Sequence, residues 1–159
     1  MATVLTLDGD LALLLTRDCA ASAEALFRGL TEPELLKRWM ASGGGWSLVK
    51  CSVEAKEEGS FHYVWRHAKS RKSVSMKGLF VAFERPTLLD IAQVVEDDDF
   101  LDEEWTTYRL EQLAQGTRLT LLQRYETTEE RDEVAASGVE ARTEENLARL
   151  DAAVAGLSK

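Results

Sequence analysis

Apolar and polar residues alternate with a period of two through much of residues 1–125. The pattern switches to a helical period after the first hairpin and again at the C-terminal end. Thr3–Leu7 and Leu11–Arg17 read as two strands joined at Asp8-Gly9, a pair suited to a tight hairpin because glycine accepts positive φ. In Ala21–Leu30 the apolar residues Ala23, Leu26, Phe27 and Leu30 share one helical face, and Ser22 stands where an N-cap belongs. Thr31 with Glu34 reads as a capping box, and Pro33 suits the first turn of a short second helix ending at Gly43-Gly44-Gly45. Its apolar side is Leu35, Leu36, Trp39 and Met40.

Strands follow. Val49, Cys51 and Val53 alternate with polar neighbours, as do Phe61, Tyr63 and Trp65 after the turn at Glu58-Gly59. Val74–Glu84 reads as a long strand with a bend or bulge at Gly78. Leu88–Val95 is nearly all apolar and reads as a central strand, and Glu96–Glu104 as an acidic, solvated loop. Trp105–Leu113 and Thr117–Tyr125 form a last hairpin around Gln115-Gly116. Capping boxes at Thr127/Glu130 and Ser137/Glu140 open the helical end, where Leu147, Leu150, Val154 and Leu157 make one stripe.

This order predicts an α+β chain: a curved antiparallel sheet wrapped around a long C-terminal helix, with two short helices after the first hairpin. An antiparallel sheet must cover its apolar face, and only the last helix is long enough to do so. A twisted sheet closed over one helix leaves a gap beside the two short helices, a natural place for an internal cavity.

The 159 residues suit a single domain over 1–159. With 19 Lys+Arg against 28 Asp+Glu the net charge is −9, which argues against a nucleic-acid partner and against an anionic membrane surface. No apolar run approaches the ~20 residues of a membrane helix. No export signal is visible, so a cytoplasmic location and reduced thiols are expected for Cys19 and Cys51. The two histidines, His62 and His67, and the two isolated cysteines make no zinc spacing, and the acidic run lacks the calcium-loop pattern. No nucleophile elbow or phosphate-cradling glycine loop occurs. The expectation is therefore no metal, no cofactor and no catalytic residue.

The ordered set of segments resembles the SRPBCC, or START-like, helix-grip superfamily. Within it, the chain is similar to the branch of bacterial proteins related to the activator of Hsp90 ATPase. The residues that carry this are Thr16-Arg17, Ala23–Leu30 followed by Thr31-Glu32-Pro33-Glu34-Leu35-Leu36, Trp39, Cys51-Ser52-Val53-Glu54 and Glu58-Gly59-Ser60-Phe61. They continue with Met76-Lys77-Gly78, Glu84-Arg85-Pro86, Gly116-Thr117-Arg118-Leu119-Thr120-Leu121 and the amphipathic last helix. The family often has a Gly-Gly pair where this chain has Gly59-Ser60, and an aromatic-rich turn where this chain has the acidic, Ala-rich Glu129–Val139. The resemblance implies binding of an apolar or amphipathic small molecule between sheet and helix, and supplies no catalytic motif. A chaperone or ATPase regulator with a protein partner, and an enzyme working in the same cavity, are the alternatives it leaves. A two-fold homodimer is compatible with a chain of this size.

On this reading the cavity is lined by Trp39, Phe61, Tyr63, Trp65, Met76, Phe80, Tyr108 and Tyr125, with Leu147, Leu150 and Val154 as its lid. Gln93, Tyr108, Gln123 and Tyr125 interrupt apolar strands, and polar groups buried there need hydrogen-bond partners. A ligand, a water or the backbone could each supply them. Arg66 and His62 fall out of phase with the aromatic stripe, and these two together with His67 are expected toward solvent.

Overall fold

A computed structural model describes residues 2–40, 44–99 and 101–157. The elements in chain order are β1 (Val4–Asp8), β2 (Ala12–Cys19), α1 (Ala23–Thr31), α2 (Pro33–Met40), β3 (Trp46–Val53), β4 (Ser60–His67), β5 (Ser73–Glu84), β6 (Leu88–Glu96), β7 (Leu101–Gln112), β8 (Thr117–Arg124), α3 (Thr128–Ala136) and α4 (Val139–Ala153). All the strands join one curved antiparallel sheet in the order β1-β2-β8-β7-β6-β5-β4-β3. The architecture is the α+β arrangement that the pattern of strands and helices predicts, and it is the helix-grip fold that the resemblance implies.

The inner face of the sheet is set by alternation. Leu13 and Leu15 of β2, Leu119 of β8, Leu110 of β7, Leu89 of β6 and Phe80 of β5 are all buried. Against them pack Leu26 and Phe27 of α1 and Leu147 and Leu150 of α4, all in one continuous apolar core. The Ser22 hydroxyl caps α1 by accepting the Ala25 N–H at 3.1 Å, and Thr127 caps α3 by accepting that of Glu130 at 3.1 Å.

Helices α1 and α4 meet at Gly29. A Cβ built there would stand 2.6 Å from Leu150 Cδ1 and 2.7 Å from Val154 Cγ1, so the helices approach as closely as they do because this residue has no side chain. Gly29→Ala is expected to be destabilising on balance. Overpacking costs about 1–3 kcal/mol, while alanine returns about 1 kcal/mol of helix propensity. A net loss of about 1 kcal/mol should appear as a lower urea midpoint with an unchanged slope.

Four local readings are corrected. The Thr31 hydroxyl donates to the Phe27 carbonyl at 2.8 Å, inside the last turn of α1, so the Thr31/Glu34 capping box does not form. The Ser137/Glu140 box does not form either, because the Ser137 hydroxyl donates to the Val134 carbonyl at 2.7 Å and the N-cap of α4 is Gly138. Gly138 sits at φ 87°, and this left-handed residue separates α3 from α4. Gly78 is not a bulge: it stays in the ladder between Phe61 and Gln93 because its missing side chain leaves room for the Ala92 carbonyl, which a Cβ would meet at 2.3 Å. The irregularity in β5 falls at Val81, between Phe80 and Ala82. Finally, Leu101–Glu104 is not loop but the start of β7, paired with β6. The reading of Gly43 as a helix stop lies outside the described residues.

Candidate functional site: a polar chamber under the sheet

Register places three cross-strand rows over the centre of the inner face. Gly78, Gln93 and Glu104 form the first, Ile91, Thr106 and Gln123 the second, and Leu89, Tyr108 and Leu121 the third. Leu147 of α4 and the side chains of α2 close over them, and the space left is a chamber of about 230 Å³. Apolar walls come from Leu36, Trp39, Phe61, Met76 and Ile91, while Tyr63, Gln93, Glu104, Thr106, Tyr108, Gln123, Thr143 and Asn146 place polar groups along it.

A second hollow of about 360 Å³ adjoins the chamber and shares Trp39, Met40, Met76 and Asn146 with it. Trp46, Trp65, Val74 and Arg149 complete this vestibule. Two of its three indoles present carbon surface rather than free N–H groups. The Trp65 Nε1–H donates to the Met40 carbonyl at 2.8 Å, and that of Trp39 donates to the Gly29 carbonyl at 2.8 Å. Arg149 stands at the rim with its guanidinium donating to Asn146 Oδ1.

Of the thirteen residues read from the sequence as lining the cavity, Trp39, Phe61, Tyr63, Met76, Gln93, Tyr108, Gln123 and Leu147 do line the chamber. Trp65 lies in the vestibule instead, one step along the same strand face. Phe80 is sealed behind the chamber wall, its ring 5.3 Å from those of Phe61 and Phe83. Tyr125 is half-buried beyond Gln123, to whose Oε1 its hydroxyl donates at 3.1 Å. Leu150 and Val154 face Gly29 of α1 rather than the chamber, because they lie one and two turns further along α4. Of the three residues taken as the lid, only Leu147 is a chamber residue.

The most consequential lining residue is one the sequence pattern assigned to solvent. Glu104 projects inward and accepts the Gln93 Nε2–H at 2.8 Å. Burial pushes its carboxyl above the usual carboxylate range; the Gln93 hydrogen bond works against this, and the nearby charge of Asp102 works with it. Burial also holds the Tyr63 phenol well above its ordinary value. Tyr108 is pushed up to about 12 by burial, with the Glu104 charge adding to it. The chamber therefore presents two neutral phenols, each able to donate and accept, facing one carboxyl group. Among the described residues no cluster of three or more His, Cys, Asp or Glu forms that could hold a metal ion.

A larger depression of about 610 Å³ touches Gln93, Glu104 and Tyr125 but is otherwise lined by outward-facing residues such as Leu79, Val94, Trp105 and Arg124. Two of its polar side chains, Trp105 and Arg124, are tied to Asp90. Asp90 accepts from Trp105 Nε1 at 2.7 Å and from Arg124 at 3.0 Å, and the Arg124 guanidinium lies 4.9 Å over the Trp105 ring. No described helix is long and apolar enough to cross a membrane.

Residues 20–155 match the family model described as Activator of Hsp90 ATPase homolog 1-like protein. No functionally curated protein matches the chain. Among solved structures, a protein from Rhodobacter sphaeroides is 29% identical, with a TM-score of 0.87 over 99% of this chain and 100% of that one. A protein from Nitrosomonas europaea is 23% identical, with a TM-score of 0.78 over 93% and 96% of the two chains. An AHSA1-like protein from Aeromonas hydrophila is 17% identical, with a TM-score of 0.70 over 91% and 92%.

Proposed function

Because the chain belongs to the Activator of Hsp90 ATPase homolog 1-like family, whose fold sets a helix across a curved sheet, we propose that it binds a small amphipathic molecule in the chamber between the two. The observation that carries this reading is the chamber itself. Its wall combines aromatic and aliphatic carbon with the hydrogen-bonding groups of Tyr63, Gln93, Glu104, Tyr108 and Gln123. Interiors that serve only stability pair their polar groups or leave them out, whereas ligand sites are mostly apolar with a few convergent polar groups. At about 230 Å³ the chamber takes a small molecule, and the vestibule offers a path and further apolar surface. Affinity would come from apolar burial at roughly 25 cal/mol per Å², with the phenols and amides fixing orientation.

The test begins with native mass spectrometry of the protein purified gently from its own host. A discrete added mass that disappears on denaturation is the expected result. With that molecule in hand, the double variant Tyr63→Phe/Tyr108→Phe should bind about tenfold or more weakly, since each lost hydrogen bond is worth about 0.5–1.5 kcal/mol. Its fold should be intact, because only two hydroxyls are removed. A clean unliganded mass together with a stable protein partner on pull-down would overturn this reading in favour of a partner module such as an ATPase regulator.

A further inference from the structure

We infer that the ligand of this chamber carries a basic nitrogen, an ammonium or equivalent hydrogen-bond-donating cation, seated against the Glu104 carboxylate. The inference rests on the chamber being a ligand site and deepens that reading to a chemical class.

Three observations converge on it. The first is an imbalance at one end of the chamber. Gln93 spends its Nε2–H on Glu104 Oε1, and among the described residues no donor reaches Glu104 Oε2. The Gln93 Oε1 is likewise an acceptor without a partner among the hydrogen bonds of the described residues. The carboxylate and the amide thus bring three acceptor oxygens to one place with only the two N–H groups of one amide between them, one of which is already spent. An ammonium brings up to three donors and no acceptor, which complements that deficit.

The second is charge. No lysine, arginine or histidine lines the chamber. Arg124 and Lys77, on neighbouring strands, project to the outer face, and Arg149 is held at the vestibule by Asn146. The charged group closest in effect to Glu104 is Asp102, of the same sign. A carboxylate drawn from water without a cation is costly, and a cationic ligand would remove the deficit where the protein does not.

The third is the wall. Tyr63, Tyr108, Phe61 and Trp39 border the same space. Aromatic rings attract cations through their quadrupoles and do so most when water is excluded. A carboxylate ligand would find donors in the Tyr63 and Tyr108 hydroxyls but would set its charge against that of Glu104 and against the ring faces.

A matched probe series tests the class on the unmodified protein. 2-Phenylethylamine, 2-phenylethanol and phenylacetate share a ring and differ in the polar end. Each is titrated at neutral pH into isotopically labelled protein, and chemical-shift changes at Gln93, Glu104 and Tyr108 locate the probe. The amine should bind at least about tenfold more tightly than the alcohol, as charge-assisted hydrogen bonds outweigh neutral ones, and phenylacetate should bind most weakly. In Glu104→Gln the amine and the alcohol should converge to within about twofold of each other. Alcohol binding that equals or exceeds amine binding in the unmodified protein would overturn the inference while leaving the chamber a ligand site. An amine preference that persists in Glu104→Gln would overturn the role of this residue. Shift changes absent from the chamber for all three probes would overturn the chamber reading and this inference with it.

Discussion

Asp151→Ala is expected to cost about 3 kcal/mol of stability, near the low end of what breaking a buried ion pair costs. Asp151 joins α4 to the end of β2 and the start of α1. Its Oδ1 accepts the Ala21 N–H at 2.9 Å, and its Oδ2 accepts the Ala20 N–H at 2.9 Å and a longer contact from Arg17 at 3.4 Å. Arg17 is 7% exposed, so its guanidinium depends on protein acceptors. Glu144, the other carboxylate on Arg17, accepts from its Nε at 3.2 Å and from the Thr3 hydroxyl at 2.8 Å, and would remain. Removing Asp151 thus deprives two backbone N–H groups of their acceptor and leaves a buried cation with one carboxylate instead of two. Asp151→Asn should fall between, since an amide oxygen still accepts one N–H while the charge is lost. Glu32→Ala is the contrast, because its i,i+4 pair with Arg28 is only half-buried and its charges stay largely solvated, so its loss should be clearly smaller. Urea unfolding of the three variants measures the ranking. A loss below 1 kcal/mol for Asp151→Ala would show that water takes over its contacts.

The sequence made the scaffold legible because its signals are periodic. Phe61 and Tyr63 alternate onto the inner face, and Leu147, Leu150 and Val154 repeat onto the core side of α4. Burial on one side of an element writes itself into such spacing. Capping was less legible, because a hydroxyl can satisfy either its own helix or the next one. Thr31 turned back to Phe27, and Ser137 turned back to Val134. Glu104 was hidden by its neighbours. It closes a run rich in Asp and Glu, and composition there outweighs alternation. Yet Leu110, Tyr108, Thr106 and Glu104 occupy every second position, so extending the register of Tyr108 back along β7 would have turned Glu104 inward. The assignment of Leu150 and Val154 to the chamber failed for a different reason. A helical stripe identifies a buried face but not which partner each residue of that face meets. The partner here is set by Gly29, whose missing side chain draws the end of α4 onto α1.

That division of α4 leads to the largest expected stability effect. Leu150→Ala should cost about 4 kcal/mol, in the upper half of the range for buried leucines. Leu150 is wholly buried, and the helix opposite it presents Gly29, which has no side chain to move into the space. Backbone cannot collapse into the hole without separating α1 from α4, so the lost contacts are not replaced. Leu147, one turn earlier, faces the chamber, and part of its surround is already open volume rather than packed atoms. Fewer contacts vanish when it is truncated, so Leu147→Ala should cost nearer 2 kcal/mol. The same change enlarges the chamber. It should therefore shift ligand preference toward longer members of an amphipathic series, whereas Leu150→Ala should leave that preference unchanged in whatever fraction stays folded. Denaturant melts give the first comparison, and titration of a chain-length series into both variants gives the second. Equal stability losses, with no change in size preference for Leu147→Ala, would mean that the chamber closes on truncation and that α4, rather than its lining side chains, sets its volume.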